Sequence, residues 1–393
     1  MSEQNPKGEY IPSLQLAIDY LLETYDFRKN MVTTSVELKS KNENNFDEVN
    51  ENDILIELKI KQKIKIGMSD LCVFLGSSYI KPYDPLNEYF EKVSKIYSPE
   101  IHGDYIQKFS RYVKANNQER FDIQFKKWLV RTVACALKDD YFNKQAFMLV
   151  AEGQDIGKTS FTRFLIPRSL TRYCVENIST DKDSLIALSG NFIGILDELA
   201  NHAKLEINTL KSSMSKLHVN VRHPYDKRPK LTPRRISFIG STNETEFLTD
   251  YANVRWLCFQ IDEINWAYRD EIDIDVVWSQ AYYLMGSGFK YDMTRQEIEE
   301  NEKNNENFKV TTLEFELLHK YFSPGSENDY DALMMASDMM HEIQLKTFPK
   351  LNQKEFGRAL KRLGFISQQR RGYITNDGDR LSYPVNIYFV KHS

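Results

Sequence analysis

One segment constrains the fold more than any other, the run 147–165, which reads FMLVAEGQDIGKTSFTRFL. An apolar stretch of strand length leads into a glycine-bearing turn, then into Gly157-Lys158-Thr159, then into a helical pattern with its apolar residues on one face. This order matches the phosphate-binding pattern G-x-x-x-x-G-K-[ST], except that Glu152 stands at the first glycine position. The segment therefore predicts a phosphate-binding loop. An ordinary strand–turn–helix with a chance Gly-Lys-Thr is the alternative.

The residue types of this loop fit ATP and Mg²⁺ as cofactors. We expect the Lys158 ammonium to contact the β- and γ-phosphates and the Thr159 hydroxyl to coordinate Mg²⁺. Backbone N–H groups of the loop would hold phosphate oxygens, and Gly157 permits the positive φ or close approach that the turn requires. The predicted nucleotide-binding residues are Gly153, Gln154, Asp155, Ile156, Gly157, Lys158, Thr159 and Ser160.

Two later strand ends carry the polar groups that hydrolysis requires. The apolar run 192–197 ends in Asp197 and is followed by Glu198. In this arrangement the aspartate holds Mg²⁺ through water and the glutamate polarises the attacking water; a strand that ends in a helix N-cap aspartate is the alternative. The next run, 236–241, leads to Asn243, the sensor position of additional-strand ATPases. Its amide would orient the attacking water, although asparagine is also a common turn residue.

An arginine beyond the sensor strand is the candidate for stabilising transition-state charge. Arg255 precedes the apolar run 256–261 and could enter a neighbouring subunit's site as a finger. Arg234 and Arg235 are alternative candidates. A surface arginine, or a salt bridge to Asp250, is the interpretation without catalysis.

The spacing of apolar residues predicts an α/β protein. Short apolar runs at 146–151, 192–197, 236–241 and 256–261 are typical of buried strands in a mainly parallel sheet. Helical spacing dominates from about residue 86 to residue 145, and a helix is predicted at 13–25, before a short strand from Val32 to Leu38. Near the C-terminus, helical segments at 313–322, 331–346 and 353–363 precede a basic hairpin with Tyr373-Ile374, the turn Asn376-Asp377-Gly378 and a strand from Ile387 to Val390.

These patterns predict a P-loop ATPase core, preceded by a helical subdomain and followed by a winged-helix-like α+β module. The predicted divisions are an N-terminal accessory region at 1–82, the helical subdomain at 83–145, the ATPase core at 146–289, an acidic linker at 290–309 and the winged-helix-like domain at 310–393.

Charge is unevenly distributed along the chain. With 52 Lys+Arg and 56 Asp+Glu the net charge is −4, which excludes a uniformly basic protein. Residues 204–235, however, contain nine Lys/Arg and two acidic residues, and residues 346–380 contain nine and three. A basic segment before the sensor strand suits a loop that tracks a nucleic-acid backbone; a solvated loop, or basic residues that serve ATP across a subunit interface, is the alternative. The predicted nucleic-acid contacts are Lys211, Lys216, Arg222, His223, Lys227, Arg228 and Lys230.

The C-terminal basic segment, residues 346–380, has two interpretations. In a helix–wing module its charge would lie on a DNA backbone. Otherwise it forms a protein-docking or merely solvated face.

The cysteine pattern and the apolar stretches indicate the cellular compartment in which the protein works. Cysteines at 72, 135, 174 and 258 form no CxxC motif and the histidines form no HExxH motif, so we expect free thiols and no structural transition metal. The N-terminus lacks a signal-peptide core, and no apolar stretch approaches the ~20 residues that span a bilayer. We therefore expect a cytoplasmic protein with no membrane partner.

Several of these segments together resemble the virulence-associated E (VapE/VirE) family. The resemblance lies in EGQDIGKTSFTRFL, in ILDELAN, and in the motifs Arg222-His223-Pro224-Tyr225, Pro233-Arg234-Arg235 and Gly240-Ser241-Thr242-Asn243. It implies a ring-forming ATPase, related to superfamily 3 helicases, that works on DNA during replication of a phage or mobile element. It supports Lys158, Thr159, Asp197, Glu198 and Asn243 as the ATP site. Where the family often has paired arginines, this chain has Val254-Arg255.

The leading hypothesis is an ATP-dependent DNA helicase or translocase that forms a homo-oligomeric ring, a hexamer, on single-stranded DNA. Its catalytic residues would be Lys158, Glu198, Asn243 and Arg255, with Thr159 and Asp197 at the metal. The sequence shows no primase motif, so priming would come from a separate primase or replication protein. One alternative is an ATP-dependent replication initiator or loader without processive unwinding. Another is a nucleotide-switched DNA-binding scaffold with little turnover.

Overall fold

The computed structural model describes residues 12–153, 155–176, 183–198, 210–222, 228–248, 253–347, 350–374 and 380–392. The fold is mixed α/β, with several sheets that combine with helices. The chain divides into two compact units, Met1–Phe308 and Lys309–Ser393. Within the described ranges, no helix has both the length and the apolar character to cross a bilayer.

The first unit begins with a small sheet and three helices. The elements are α1 (Ser13–Thr24), β1 (Tyr25–Asn30), β2 (Val36–Ser40), β3 (Asp47–Glu48), α2 (Glu51–Ile56), a π-helical turn (Glu57–Lys61), α3 (Met68–Leu75) and β4 (Lys81–Tyr83). The predicted helix at 13–25 is confirmed. The strand predicted from Val32 is wrong in its first half, because the buried Asn30 side chain accepts hydrogen bonds from the Val32 and Thr33 N–H groups and turns the chain.

A helical stretch follows and packs against the central sheet. It contains α4 (Pro85–Val93), α5 (Pro99–His102), α6 (Tyr105–Ser110), β5 (Val113–Ala115) and α7 (Gln118–Leu137). Helix α4 begins where Asp84 accepts hydrogen bonds from the Leu86 and Asn87 N–H groups. The predicted helical pattern is wrong at 113–115. Val113 and Ala115 are buried and Lys114 is exposed, the alternation of a strand, and this segment pairs at the edge of the sheet.

The central sheet positions the predicted site. Its segments, with the elements between them, are β6 (Ala146–Val150), α8 (Lys158–Phe164), a 3₁₀ turn (Arg168–Tyr173), β7 (Cys174–Glu176), α9 (Asp183–Gly190), β8 (Ile193–Leu196), the hairpin β9 (His218–Val221) and β10 (Lys230–Pro233), β11 (Ser237–Thr242) and β12 (Trp256–Ile264). Among the described residues the strand order is β5-β12-β6-β11-β8-β7, parallel except for β5. All four predicted strands are confirmed, and the carboxyl ends of the parallel strands meet at one edge.

The first unit closes with α10 (Tyr268–Glu271), α11 (Ile274–Gly286), α12 (Arg295–Asn305) and a 3₁₀ turn (Glu306–Phe308). Most of the predicted acidic linker, 290–309, is therefore helical. The fully buried Asn301 and Asn305 amides donate hydrogen bonds to the Trp256 carbonyl oxygen at 2.9 and 2.8 Å. Polar contacts attach α12 to β12, which explains why apolar periodicity gave no signal there.

The second unit has its own apolar core. It contains α13 (Leu313–Tyr321), β13 (Phe322–Pro324), β14 (Ala332–Met334), α14 (Ala336–Lys346), α15 (Gln353–Arg362), β15 (Ser367–Arg370) and β16 (Val385–His392). The predicted helix at 331–346 starts late, because Ala332–Met334 pairs with β16. Of the predicted hairpin, the first strand lies at 367–370 rather than at Tyr373-Ile374, although Ile374 bridges to Arg380. The predicted turn at 376–378 lies outside the described residues.

Candidate nucleotide site

The loop after β6 has the backbone geometry of a tight turn into a helix. Gly157 has φ +94°, in the left-handed region, and α8 begins at Lys158. Asp155 is also left-handed, with φ +60°. Gln154 lies outside the described residues, and Glu152, which replaces the expected glycine, is exposed and does not line the cavity described below. The loop therefore keeps the Glu152 carboxylate out of the cavity.

The Lys158 side chain connects the loop to the sensor strand. Only 7% of the residue is exposed, and its ammonium donates to the carbonyl oxygens of Ala151 at 3.1 Å and Gly153 at 2.8 Å, and to the Asn243 Oδ1 at 2.6 Å. These contacts match the three donors of an ammonium group. Burial lowers the pKa of Lys158, and the charge of Asp197 opposes that shift. The structure thus brings Lys158 and Asn243 together.

Asp197 accepts hydrogen bonds from hydroxyl groups of the loop and of the sensor strand. Its Oδ1 accepts hydrogen bonds from the Thr159 Oγ1 at 3.0 Å and from the Ser241 Oγ at 2.8 Å. A hydroxyl beside a carboxylate is a donor set that suits Mg²⁺. Glu198 follows at the exposed end, with φ +49°, a conformation that is strained for a residue other than glycine.

These residues line one cavity of about 340 Å³ at the carboxyl edge of the sheet. Its walls also include Trp266, which no sequence pattern indicated. The described residues contain no group of three or more His, Cys, Asp and Glu side chains that could hold a metal by themselves. The lining residues are Asp155, Ile156, Gly157, Lys158, Thr159, Ser160, Asp197, Glu198, Ser241, Thr242, Asn243 and Trp266.

The three candidate arginines differ in what surrounds them. Arg234 is fully buried and donates to the Ile236 and Asn143 carbonyl oxygens, at 3.0 and 2.6 Å. Arg235 donates to the Ala136 carbonyl oxygen and lies 3.4 Å from an Asp139 carboxylate oxygen. Both side chains therefore have partners within their own chain.

Arg255 is partly exposed, and its Nε donates to the Ser215 Oγ at 2.9 Å. It is not among the residues that line the cavity of its own chain. Asp250, its alternative partner, lies outside the described residues. Like Arg234 and Arg235, Arg255 therefore has a hydrogen-bond partner within its own chain, the Ser215 hydroxyl.

The predicted nucleic-acid residues surround the β9–β10 hairpin, in which Val221 pairs with Lys230. Arg222, Arg228 and Lys230 are exposed, and Lys216 is half-buried. Lys211 is only 7% exposed, which does not fit its prediction as a surface contact. His223 and Lys227 lie outside the described residues.

The chain is similar to solved structures in fold and to a known family in sequence. Solved structures similar to the chain include the apo structure of the NrS-1 C-terminal region (TM-score 0.49, 11% identity, 97% of this chain and 100% of that chain) and two A-form apo structures of the same region. The A forms give TM-scores of 0.41 and 0.45 at 13% and 12% identity, with 91% and 97% of this chain and 88% and 100% of theirs covered. No curated protein matches the sequence. The family model of the virulence-associated protein E-like domain matches residues 102–310, more than half of the chain, and the chain belongs to this family.

Proposed function

We propose that this chain is an ATPase with a superfamily 3 helicase-like P-loop core, which acts as a DNA helicase or translocase in replication of a phage or mobile element. One observation carries the proposal: Lys158 donates to the Asn243 Oδ1 and Thr159 donates to the Asp197 Oδ1, 85 and 38 residues away in sequence, and all four residues line one cavity. A structural strand–turn–helix has no need for this combination of a lysine, a hydroxyl, a carboxylate and an amide.

The residues fit ATP and Mg²⁺. When bound, the metal would neutralise charge on the phosphates. Thr159 would hold Mg²⁺ directly and Asp197 through water, because their oxygens already lie 3.0 Å apart. Lys158 would exchange a carbonyl or amide partner for a phosphate oxygen, which also releases the Asn243 amide to orient water. Glu198, exposed at the mouth of the cavity, would polarise that water.

Sheet order supports the assignment to the additional-strand class. Strand β11, which carries the sensor residues, lies between β6 and β8 and is parallel to both. This places Asn243 between the phosphate-binding loop and Asp197, where its amide can reach both. A sheet with β6 directly beside β8 would lack that position.

The β9–β10 hairpin is proposed to contact single-stranded DNA within a homo-oligomeric ring, a hexamer. The exposed side chains of Arg222, Arg228 and Lys230 lie on this two-stranded ribbon or directly beside it, in the same chain as the cavity. Cationic side chains on such a ribbon suit a phosphate backbone. Arg255 would complete the site of a neighbouring subunit.

ATP hydrolysis with and without single-stranded DNA tests the proposal. We expect DNA to stimulate hydrolysis, Lys158→Ala to abolish it, and Glu198→Gln to bind ATP without turnover. Lys303→Ala, an exposed lysine on α12, is the matched control and should hydrolyse normally. A folded protein that hydrolyses no ATP contradicts the enzyme proposal, and one that hydrolyses ATP but ignores DNA at low salt contradicts the helicase part.

The second unit favours one alternative, a replication initiator or loader that holds duplex DNA. Lys354 and Lys361 of α15 and Arg370 of β15 are all exposed. A basic helix beside a basic β-ribbon is the arrangement that we propose as winged-helix-like, and such modules bind duplex DNA. A strand-displacement assay separates the two functions, because only a helicase displaces a long strand.

A further inference from the structure

Trp266 is set apart from the other tryptophans by its exposure. The chain has four tryptophans, and Trp128, Trp256 and Trp278 are fully buried. Trp266 is 42% exposed although it has the largest apolar side chain, and it lines the same cavity as Lys158 and Asp197. An exposed indole at the rim of a polar cavity offers a flat apolar surface to a ligand.

The indole lies directly against the phosphate-binding loop. A Cβ atom at Gly157 would come within 2.6 Å of the Trp266 Cζ2, so the ring edge occupies the space that the glycine leaves open. The Arg269 guanidinium lies 4.3 Å from the Trp266 ring centroid in a cation–π contact. Loop and arginine together fix the position of the ring.

Strand order places Trp266 opposite the hydrolytic groups. Trp266 follows β12, which pairs with β6 on one side, whereas Asn243 and Asp197 follow β11 and β8 on the other. The loop after β6 lies between them. A nucleoside triphosphate whose terminal phosphate faces Asp197 and whose chain crosses the loop would therefore carry its base toward Trp266.

We propose that Trp266 is the stacking surface for the nucleobase, so that the site selects a nucleoside triphosphate over a bare triphosphate. The inference rests on the proposed ATP site and adds the residue that recognises the non-reacting end of the ligand. Stacking on an aromatic ring is available to any base, because every base has a π-face. Trp266 therefore contributes affinity for the base while Lys158 and Thr159 hold the phosphates.

Binding of ATP and of inorganic tripolyphosphate, each with Mg²⁺, tests the proposal by calorimetry on the full chain. Trp266→Ala should weaken ATP binding by roughly 5- to 150-fold, the range for loss of one stacked base. It should change tripolyphosphate binding less than about twofold, and Trp266→Phe should restore most of the ATP affinity. Tyr383→Ala, which removes another exposed aromatic ring, is the control and should bind both ligands as the parent does.

Two results would overturn the role of Trp266 and leave the ATP site intact. Equal weakening of ATP and tripolyphosphate would mean that the indole only supports the loop at Gly157. Unchanged ATP affinity in Trp266→Ala, with binding lost in Lys158→Ala, would mean that the base lies elsewhere. Failure of the parent protein to bind either ligand would instead contradict the proposed ATP site, and the stacking role with it.

Discussion

Gly157 has a backbone conformation that residues with a Cβ atom rarely adopt. The Trp266 ring fills the space beside it. The φ of Gly157 is +94°, and an added Cβ would lie 2.6 Å from the Trp266 ring. We expect Gly157→Ala to lower the free energy of unfolding by about 1–2 kcal/mol from the left-handed conformation alone, with a further cost because the indole must move. Nucleotide binding should fall as well, since the loop shifts.

Urea unfolding and nucleotide titration check this prediction. Gly286→Ala is the matched control, because an added Cβ there meets no atom within 4 Å and the backbone is not left-handed. The control should remain within about 0.5 kcal/mol of the parent. Equal midpoints for the two variants would show that the loop is not constrained at Gly157.

Lys158 links stability to pH through its burial. Its pKa is lowered in the folded chain, so the unfolded chain binds the proton more tightly. Below both pKa values the buried charge is a cost, and that cost declines as pH rises through the folded pKa. The parent should therefore gain stability relative to Lys158→Met between pH 7 and pH 10, as measured by thermal unfolding. A difference that is constant with pH, or that moves the other way, would contradict the direction of the shift.

At the scale of elements, helix α12 is attached to the sheet by side-chain amides. The buried Asn301 amide donates to the Trp256 carbonyl oxygen, and its Oδ1 accepts from the Arg120 Nη2 at 2.6 Å. We expect Asn301→Ala to cost about 1–3 kcal/mol, because the guanidinium loses a partner in a partly buried position. Lys303→Ala on the exposed face should cost less than about 0.5 kcal/mol. Urea midpoints that coincide would show that the amide contributes nothing.

The β9–β10 hairpin is the element that the proposal places on DNA. Removing the charges of Arg228 and Lys230 together should lower the slope of log affinity against log salt by about 1.4 for single-stranded DNA, at about 0.7 for each phosphate contact. Removing Arg295 and Lys303 from α12 deletes the same charge elsewhere and should leave the slope nearly unchanged. Fluorescence anisotropy over a salt series measures both. Equal slopes for the hairpin variant and the α12 variant would mean that the DNA contacts a part of the protein other than the hairpin.

Sequence patterns predicted those parts of the site that follow directly from strand ends. Asp197 and Asn243 could be assigned because parallel strands present their carboxyl ends at one edge, which places the residues that follow them together. Trp266 could not be found in this way, since its contact with Gly157 depends on β12 pairing with the opposite side of β6. Helix α12 was not predicted for a different reason: amide hydrogen bonds, rather than an apolar face, attach it to β12.

Across the whole molecule, charge is divided between the two units. The two basic segments, 204–235 and 346–380, belong to different units of the chain. In the described parts of both segments, basic residues are exposed: Arg228 and Lys230 in the first unit, Lys354 and Lys361 in the second. A net charge of −4 therefore conceals exposed basic residues in each of the two units.

Assembly into a ring predicts that Arg255 acts on a neighbouring subunit. Arg255 is absent from the cavity lining of its own chain, whereas Lys158 is buried within that cavity. Lys158→Ala and Arg255→Ala should therefore each be inactive as pure proteins, yet active when mixed. In a random equal mixture about a quarter of the interfaces pair an intact Lys158 with an intact Arg255 from the adjacent subunit. We expect roughly that fraction of the parent ATPase rate after the two variants are mixed and allowed to exchange subunits. Lys303→Ala mixed with Lys158→Ala is the control and retains only the activity of its own intact sites. An inactive mixture, with assembly confirmed by mass in solution, would mean that both residues serve the same subunit's site. Activity in pure Arg255→Ala would mean that Arg255 has no catalytic role.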